Sequence, residues 1–263
     1  MSTMIKSENV KEQYSDDGNL SARISLHAKH STNKQGLVPW LFEQYYFSQD
    51  IRILELGCGN ADQWEGRVES LPKGVELILS DFSEGMVDIV SGKYVKETKV
   101  SCQRIDIQNI PFEDEAFDIV IANFMLYHVP DIDKALMEVK RVIKENGKFY
   151  AATNGNGELR SFVHKAIKKF KPDTQAFAHG FSFNLQNGQG ILSKYFSNVE
   201  RVDFEDSLAI TNTEDLIDWI KSSVSIEECD VDFDELYDYF EDIRARDGVI
   251  SIPKECGLFI SKK

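Results

Sequence analysis

The sequence predicts an α/β fold: a largely parallel sheet with helices packed on both of its faces. Two observations predict it. Apolar runs of strand length recur at 51–56, 75–80, 101–107, 117–124 and 147–153. Between them lie stretches with helical spacing or helix-capping residues. Strands that alternate with helices need right-handed crossovers and so become parallel neighbours. Ligands of such sheets bind outside the carboxyl ends of the strands, which directs attention to the residues that follow each run.

The elements follow in order. Residues 20–33 (LSARISLHAKHSTN) place Arg23, His27 and His30 near one helical face, with Tyr14 upstream. Residues 35–47 are aromatic-rich and helical after Pro39. The run 51–56 ends at Gly57 and reads as a buried strand, followed by a helix at 62–71. The second run ends at Asp81, and Ser83 is a natural N-cap for a helix at 83–94. The third and fourth runs, 101–107 and 117–124, precede a helix at 131–144, where Ile132, Leu136, Val139 and Ile143 keep helical spacing and Asn146-Gly147 is the stop. A fifth strand covers 147–153. Beyond it, 158–170 and 188–196 read as helices and 198–210 as a strand. A helix at 213–224 starts with Thr213 and Asp215 as its cap; an acidic helix occupies 233–244; residues 248–262 read as two strands around a Pro-Lys-Glu turn. The helices between 212 and 246 interrupt the strands and are expected to cap the site rather than form a separate domain.

A chain of 263 residues suits one such domain with additions. With 42% apolar and 11% aromatic residues it is too rich for disorder. No apolar run approaches the roughly 20 residues needed to span a bilayer, and the polar N-terminus lacks a secretory signal, so a cytoplasmic protein with no membrane association is expected. Cys58, Cys102, Cys229 and Cys256 sit at no metal-ligand spacing, and no metal site is expected. A net charge of −14 repels nucleic acid at long range and argues against such a partner. The acid concentrates at 225–247; a solvated helix face is the ordinary reading, a surface that attracts a cationic substrate the sharper one.

Four groups follow the strands. Gly57 and Gly59 (Glu55-Leu56-Gly57-Cys58-Gly59-Asn60) let the backbone turn sharply and approach a ligand closely. A dinucleotide fingerprint would want glycine at position 62, where Asp62 stands, so a cofactor without phosphates fits better than NAD. Asp81 is placed to accept from both hydroxyls of a ribose, a role that can coexist with helix capping. Asp106 is placed to accept from an adenine amino group, with Ile107 packing on the ring, and Asn123-Phe124 follows the most apolar strand.

The segments ILELGCGNA (53–61), LILSDFSEGMVD (77–88), RIDIQNIPFEDEAFDIVIANFMLYHVPD (104–131) and ALMEVKRVIKENGKFYAATN (135–154) together resemble the class I S-adenosylmethionine-dependent methyltransferases, closest to their small-molecule branch. The resemblance covers roughly residues 50–155. It implies a Rossmann-like, seven-stranded, mostly parallel sheet whose closing antiparallel strand 256–261 would supply. It also implies an N-terminal lid over residues 1–48, ahead of a domain at 49–263 with its helical cap at about 212–246. S-adenosyl-L-methionine would be the cofactor and S-adenosyl-L-homocysteine the product. Glu55, Gly57, Cys58 and Gly59 would line the methionine side; Asp81 would hold the ribose, with Phe82 and Met86 against the adenine; Asp106 and Ile107 would meet the adenine edge and face; Asn123 and Phe124 would lie beneath the methionine. In the lid, Arg23 would pair with the methionine carboxylate and Tyr14 cover the sulfonium, against the plainer reading of a solvated amphipathic helix. The family often has Thr or Ser where Asn60 stands here, with little expected effect on backbone contacts.

Methyl transfer is an in-line displacement with an activated leaving group, so alignment and exclusion of water do most of the work. A base helps only where the nucleophile must lose a proton, and His128, in Tyr127-His128-Val129-Pro130, is the candidate; the alternative is a loop histidine that only packs near the cofactor. His27, Tyr127, His179 and Trp219 are candidates to face the acceptor, although tryptophans more often pack in cores; His164 is expected to be solvated. The expected activity is methyl transfer to O, N or C of a small-molecule acceptor by a monomer or homodimer. The rivals are a methyltransferase acting on protein or RNA, a non-catalytic module that keeps the fold, and an NAD-dependent oxidoreductase.

Overall fold

The computed structural model describes residues 18–223 and 231–263, which leaves Tyr14 and Cys229 outside it. Helix α1 (Gly18–His30) and α2 (Leu37–Gln44) lead into β1 (Arg52–Leu56), β2 (Glu76–Asp81), α3 (Glu84–Lys93), β3 (Val100–Arg104) and β4 (Phe117–Ile121). Then come α4 (Ile132–Val142), β5 (Ile143–Asn154), α5 (Glu158–Phe170), a short α6 (Gly188–Leu192), β6 (Asn198–Ile210), α7 (Thr213–Ser223), α8 (Phe233–Asp247) and β7 (Ile250–Lys262). The seven strands form one sheet in the order β3-β2-β1-β4-β5-β7-β6. Only β7 runs against its neighbours: β1 to β5 pair in parallel, and β7 pairs antiparallel with both β5 and β6.

The two faces of the sheet are covered by two cores. One gathers Leu54, Val120, Leu136, Val139 and Phe149 with α4. The other gathers Ile53, Leu77, Ile121 and Tyr150 with Trp40, Leu41 and Trp64. A third cluster joins Leu26 of α1, Val163 and Ile167 of α5, Leu216 and Trp219 of α7 and Phe240 of α8 to the outer ends of β6 and β7 through Leu208, Ile210, Ile250 and Ile252. The helices of the expected lid and cap therefore share one core. Asp232, Asp234, Glu235 and Asp238 of α8 face solvent, the ordinary fate of a charge run.

Five expectations need correction. The helix at 62–71 is only a 3-10 turn at Asp62–Trp64, because Glu65 is extended (φ −61°, ψ 126°) and Gly66 takes φ +68°. The third strand stops at Arg104, so Asp106 and Ile107 lie in the loop beyond it. Helix α4 ends at Val142 rather than 144, since Ile143 is already extended. At α7 the capping acceptor is Asn212, whose Oδ1 takes the Glu214 N–H at 3.2 Å, while Thr213 donates its hydroxyl to Glu241 at 2.6 Å. Residues 250–262 form one strand, not two. Pro253 fits because its partner Ser207 points its own N–H and C=O outward to Thr32, so Pro253 faces away from β6 and no ladder bond is lost.

Candidate functional site

Strands β1 and β2 end level, with Leu56 opposite Ser80. The chain turns immediately after Leu56 through Gly57 (φ +69°) and Gly59 (φ +57°). At Gly57 a side chain is excluded as well as strained, since a Cβ would lie 2.8 Å from Cβ and Cγ of Met125. The turn is tied to β2: Asp81 Oδ2 accepts from Gly59 N at 3.0 Å, and its Oδ1 accepts from Ser83 N at 2.8 Å. With Phe82 N–H a third backbone donor, the carboxylate's lone pairs are still not exhausted and it keeps capacity for a hydroxyl donor. Burial raises the Asp81 carboxyl above its ordinary value against those backbone bonds.

Beneath the turn lies a buried polar cluster. Glu55 has no exposed surface, and its carboxylate accepts from Gln63 Nε2 and Trp64 Nε1. Burial lifts its pKa from 4.5 to about 7 against those two bonds, with Asp81 adding to the rise. Glu55 thus shapes the site by pinning the 57–64 loop; it does not present a carboxylate at the surface. Asn123 donates from Nδ2 to the Tyr45 hydroxyl at 2.8 Å, while its Oδ1 is buried with no partner among the described residues. Tyr45 packs edge-on to Tyr150 at 5.0 Å, and burial, with Glu55 nearby, drives its hydroxyl well above the usual range. Phe124 is held at φ +54°, a conformation bulky residues rarely adopt, and donates its N–H to Ala152 O at 2.8 Å. Tyr45 went unflagged in the sequence because nothing in 35–47 announces a partner 78 residues on.

The remaining candidates separate. Cys58 is buried, with its thiol pushed up by burial. Asp106 closes its own turn, accepting Gln108 N at 2.9 Å, and Ile107 is buried in the first core. Phe82 is half-buried under the Arg104 guanidinium at 5.3 Å, while Met86 is buried on α3. His128 is half-buried; burial, then Arg23, then Arg160, lower its pKa to about 4. Its imidazole is neutral at neutral pH, the form a general base needs, and its lowered pKa makes it a weak one. Tyr127 stacks between His128 (4.6 Å) and Phe181 (4.4 Å). His27 instead faces Lys254 and Asp206, and burial, then Lys254, lower its pKa to about 3. His179 is exposed. Trp219 stacks on Phe177 at 5.7 Å inside the third core, the ordinary place for a tryptophan. His164 is half-buried with Nδ1 2.7 Å from Ala176 O, and is not solvated. Asn60 pairs with Asp62, at 2.8 Å from Nδ2.

The preformed glycine turn, the spare acceptor capacity of Asp81 and the orphaned Asn123 Oδ1 fit an S-adenosylmethionine: close approach at the turn, hydroxyls for Asp81, a polar methionine end for Asn123. Asp62, by contrast, faces Lys93 and would repel a pyrophosphate.

Residues 54–151 match the family model described as a methyltransferase domain. A Schizosaccharomyces pombe protein described as an uncharacterized methyltransferase-like protein is 28% identical over 158 residues, 59% of each chain. The demethylmenaquinone methyltransferase of Staphylococcus haemolyticus is 31% identical over 121 residues, 45% of this chain and 51% of that one. The chain thus spans a little over half the length of these curated relatives. The solved structure of the YcgJ protein of Bacillus subtilis superposes with a TM-score of 0.61 at 19% identity, covering 86% of this chain and 97% of that one, which speaks for the fold alone. No helix among the described residues is long and apolar enough to cross a membrane. The match over residues 54–151 and the strand order of the sheet both point to the class I S-adenosylmethionine-dependent methyltransferases.

Proposed function

We propose that the protein transfers a methyl group from S-adenosylmethionine to an O, N or C atom of a small-molecule acceptor in the cytoplasm. The observation that carries this is the convergence of the Gly57–Gly59 turn, Asp81 and Asn123 on one edge of the sheet. When bound, the cofactor supplies a methyl group on an already activated sulfonium. Asp81 takes the ribose hydroxyls, and the Gly57 backbone allows close approach. Asn123, oriented by Tyr45, offers Oδ1 to the methionine end, and Arg23 is the candidate for its carboxylate. Positioning and exclusion of water carry most of the rate, and His128, neutral at neutral pH, is the candidate to take a proton where the acceptor must lose one.

A small acceptor is supported by the demethylmenaquinone methyltransferases among the relatives and by the net charge of −14, which disfavours nucleic acid. The test is calorimetric titration with S-adenosylmethionine and with NAD, alongside Asp81→Ala. Micromolar-range binding of S-adenosylmethionine that weakens at least about tenfold in the variant is expected, as for a lost pair of hydrogen bonds to a charged group. Release of S-adenosylhomocysteine with a panel of acceptors, demethylmenaquinone first, then tests transfer. Binding of NAD instead would overturn the proposal.

A further inference from the structure

Beside the cofactor edge lies a second cluster drawn from three places in the chain: Tyr127 and His128 after β4, Arg160 in the first turn of α5, and Phe177 and Phe181 after α5. The Arg160 guanidinium carbon lies 4.9 Å from the Phe177 ring centre and 5.4 Å from that of Phe181. Phe181 in turn packs 4.4 Å from Tyr127, whose ring lies 4.6 Å from the His128 imidazole. The cluster is continuous with the loop that carries Asn123 and Phe124, and Ser182 ties it down by donating its hydroxyl to Tyr127 O at 3.1 Å.

Arg160 lies over two aromatic rings, Phe177 and Phe181, next to the loop that carries Asn123. In a chain of net charge −14, the charges of Arg160 and of Arg23 both bear on the same neutral imidazole. A guanidinium packed against two aromatic rings is limited in how it can turn, and its coplanar N–H groups form a fork that matches a carboxylate or a phosphate. The rings of Tyr127 and Phe181 offer apolar surface beside that fork. Arg160 also stands at the positive end of α5, a 13-residue helix with Gly157 as its N-cap.

We propose that Arg160 holds an oxyanion of the methyl acceptor, with Tyr127 and Phe181 packing on its carbon skeleton. This rests on the methyl-transfer reading of the same site and narrows it to acceptors that carry a carboxylate, phosphate or ionised hydroxyl. Cationic acceptors are disfavoured by Arg160.

The probes are benzoate, its neutral isostere benzamide, and phenyl phosphate, titrated by calorimetry into protein saturated with S-adenosylhomocysteine. At least one oxyanion is expected to bind about tenfold or more tightly than benzamide, the worth of one charge-assisted contact. Whether benzoate or phenyl phosphate binds better tells a carboxylate site from a phosphate site. Arg160→Gln is expected to abolish the preference and leave affinity for S-adenosylhomocysteine unchanged; Arg160→Lys, which keeps charge without the fork, retains it at reduced affinity. Equal binding of benzoate and benzamide, no binding by either oxyanion, or a preference that survives Arg160→Gln would overturn the proposal. Failure of the wild-type protein to bind S-adenosylhomocysteine would instead strike the methyl-transfer reading, and it is read in a separate titration.

Discussion

Glu55 gives the sharpest prediction, because a wholly buried carboxyl in the middle of the cofactor loop must leave a mark on stability. Its pKa is 4.5 in an ordinary setting and about 7 here, raised by burial against the Trp64 and Gln63 bonds. The folded state therefore prefers the protonated form. A raised folded pKa means that the stabilisation is fully present below about 4.5 and is lost as the pH rises through about 7. At about 1.4 kcal/mol per pH unit the loss across that window is about 3 kcal/mol. His27 and His128 act in the opposite sense over an overlapping range: their folded values of about 3 and about 4 lie below the ordinary 6.5, so their stabilisation is present above 6.5 and lost on acidification. The total curve mixes these effects, and the informative quantity is a difference. Glu55→Gln carries no titrating proton, yet keeps one oxygen to accept from Trp64 or Gln63. Urea unfolding of both proteins at several pH values from about 4.5 to about 7.5 should show the wild type losing about 3 kcal/mol relative to the variant across the window. A difference that stays flat over that range would refute the reasoning and mean that Glu55 is ionised in the folded protein.

Two further predictions concern buried partners. Tyr45→Phe removes the hydroxyl that Asn123 Nδ2 donates to, leaving it Glu55 alone, and is expected to cost about 1 kcal/mol, the worth of one hydrogen bond, seen as a lower melting temperature together with weaker binding of S-adenosylmethionine; unchanged melting and binding would show that Asn123 needs no such anchor. Lys254 pairs with Asp206 at 2.7 Å, where the side chains are 10% and 0% exposed, and Asp206 also accepts from Ser31 Oγ and Asn33 N. Lys254→Met leaves that carboxylate buried without its counter-ion and is expected to cost about 3–5 kcal/mol in urea unfolding, with part of the loss recovered by adding Asp206→Asn.

Much of this architecture was legible in the sequence for a definite reason. A parallel strand buried on both faces is an apolar run whatever its neighbours do, so 51–56, 75–80 and 117–124 could be found from local composition, and the glycines and Asp81 could be placed at their ends. The failures have equally definite causes. The helix expected at 62–71 has no strong breaker in sequence except Gly66; what unwinds it is the buried Glu55, which draws Gln63 and Trp64 inward. Pro253 looked like a turn because its tolerance depends on which side of β7 faces β6, a property of register and not of composition. Thr213 lost its capping role to Asn212 because Glu241, a residue of another helix, claims its hydroxyl. Arg160 carries no mark in the sequence at all, since its setting is made by Phe177 and Phe181 folding back over α5.

The same contrast explains where polar groups are buried. Glu55, Tyr45, Asn123 and Asp81 are costly to bury, and a core built for stability alone would have apolar residues in their places. They gather around the carboxyl edge of β1, β2 and β4, alongside Phe124 in an unfavourable backbone conformation. The side chains of Glu55, Tyr45, Asn123 and Asp81 are each anchored by a neighbour, so the edge is held in place before a ligand arrives, while Asn123 Oδ1 and the Asp81 carboxylate keep acceptor capacity open. Rigid, desolvated polar groups are what in-line transfer requires, because they fix the reacting partners without reorganisation at the moment of reaction. The aromatic rings and the guanidinium of Arg160 lie outside this frame, in the loop after β4, on α5 and in the segment after it. Changes of acceptor can therefore be made there without disturbing the cofactor edge, which is why Arg160→Gln is expected to alter what the protein accepts and leave what it binds at Asp81 unchanged.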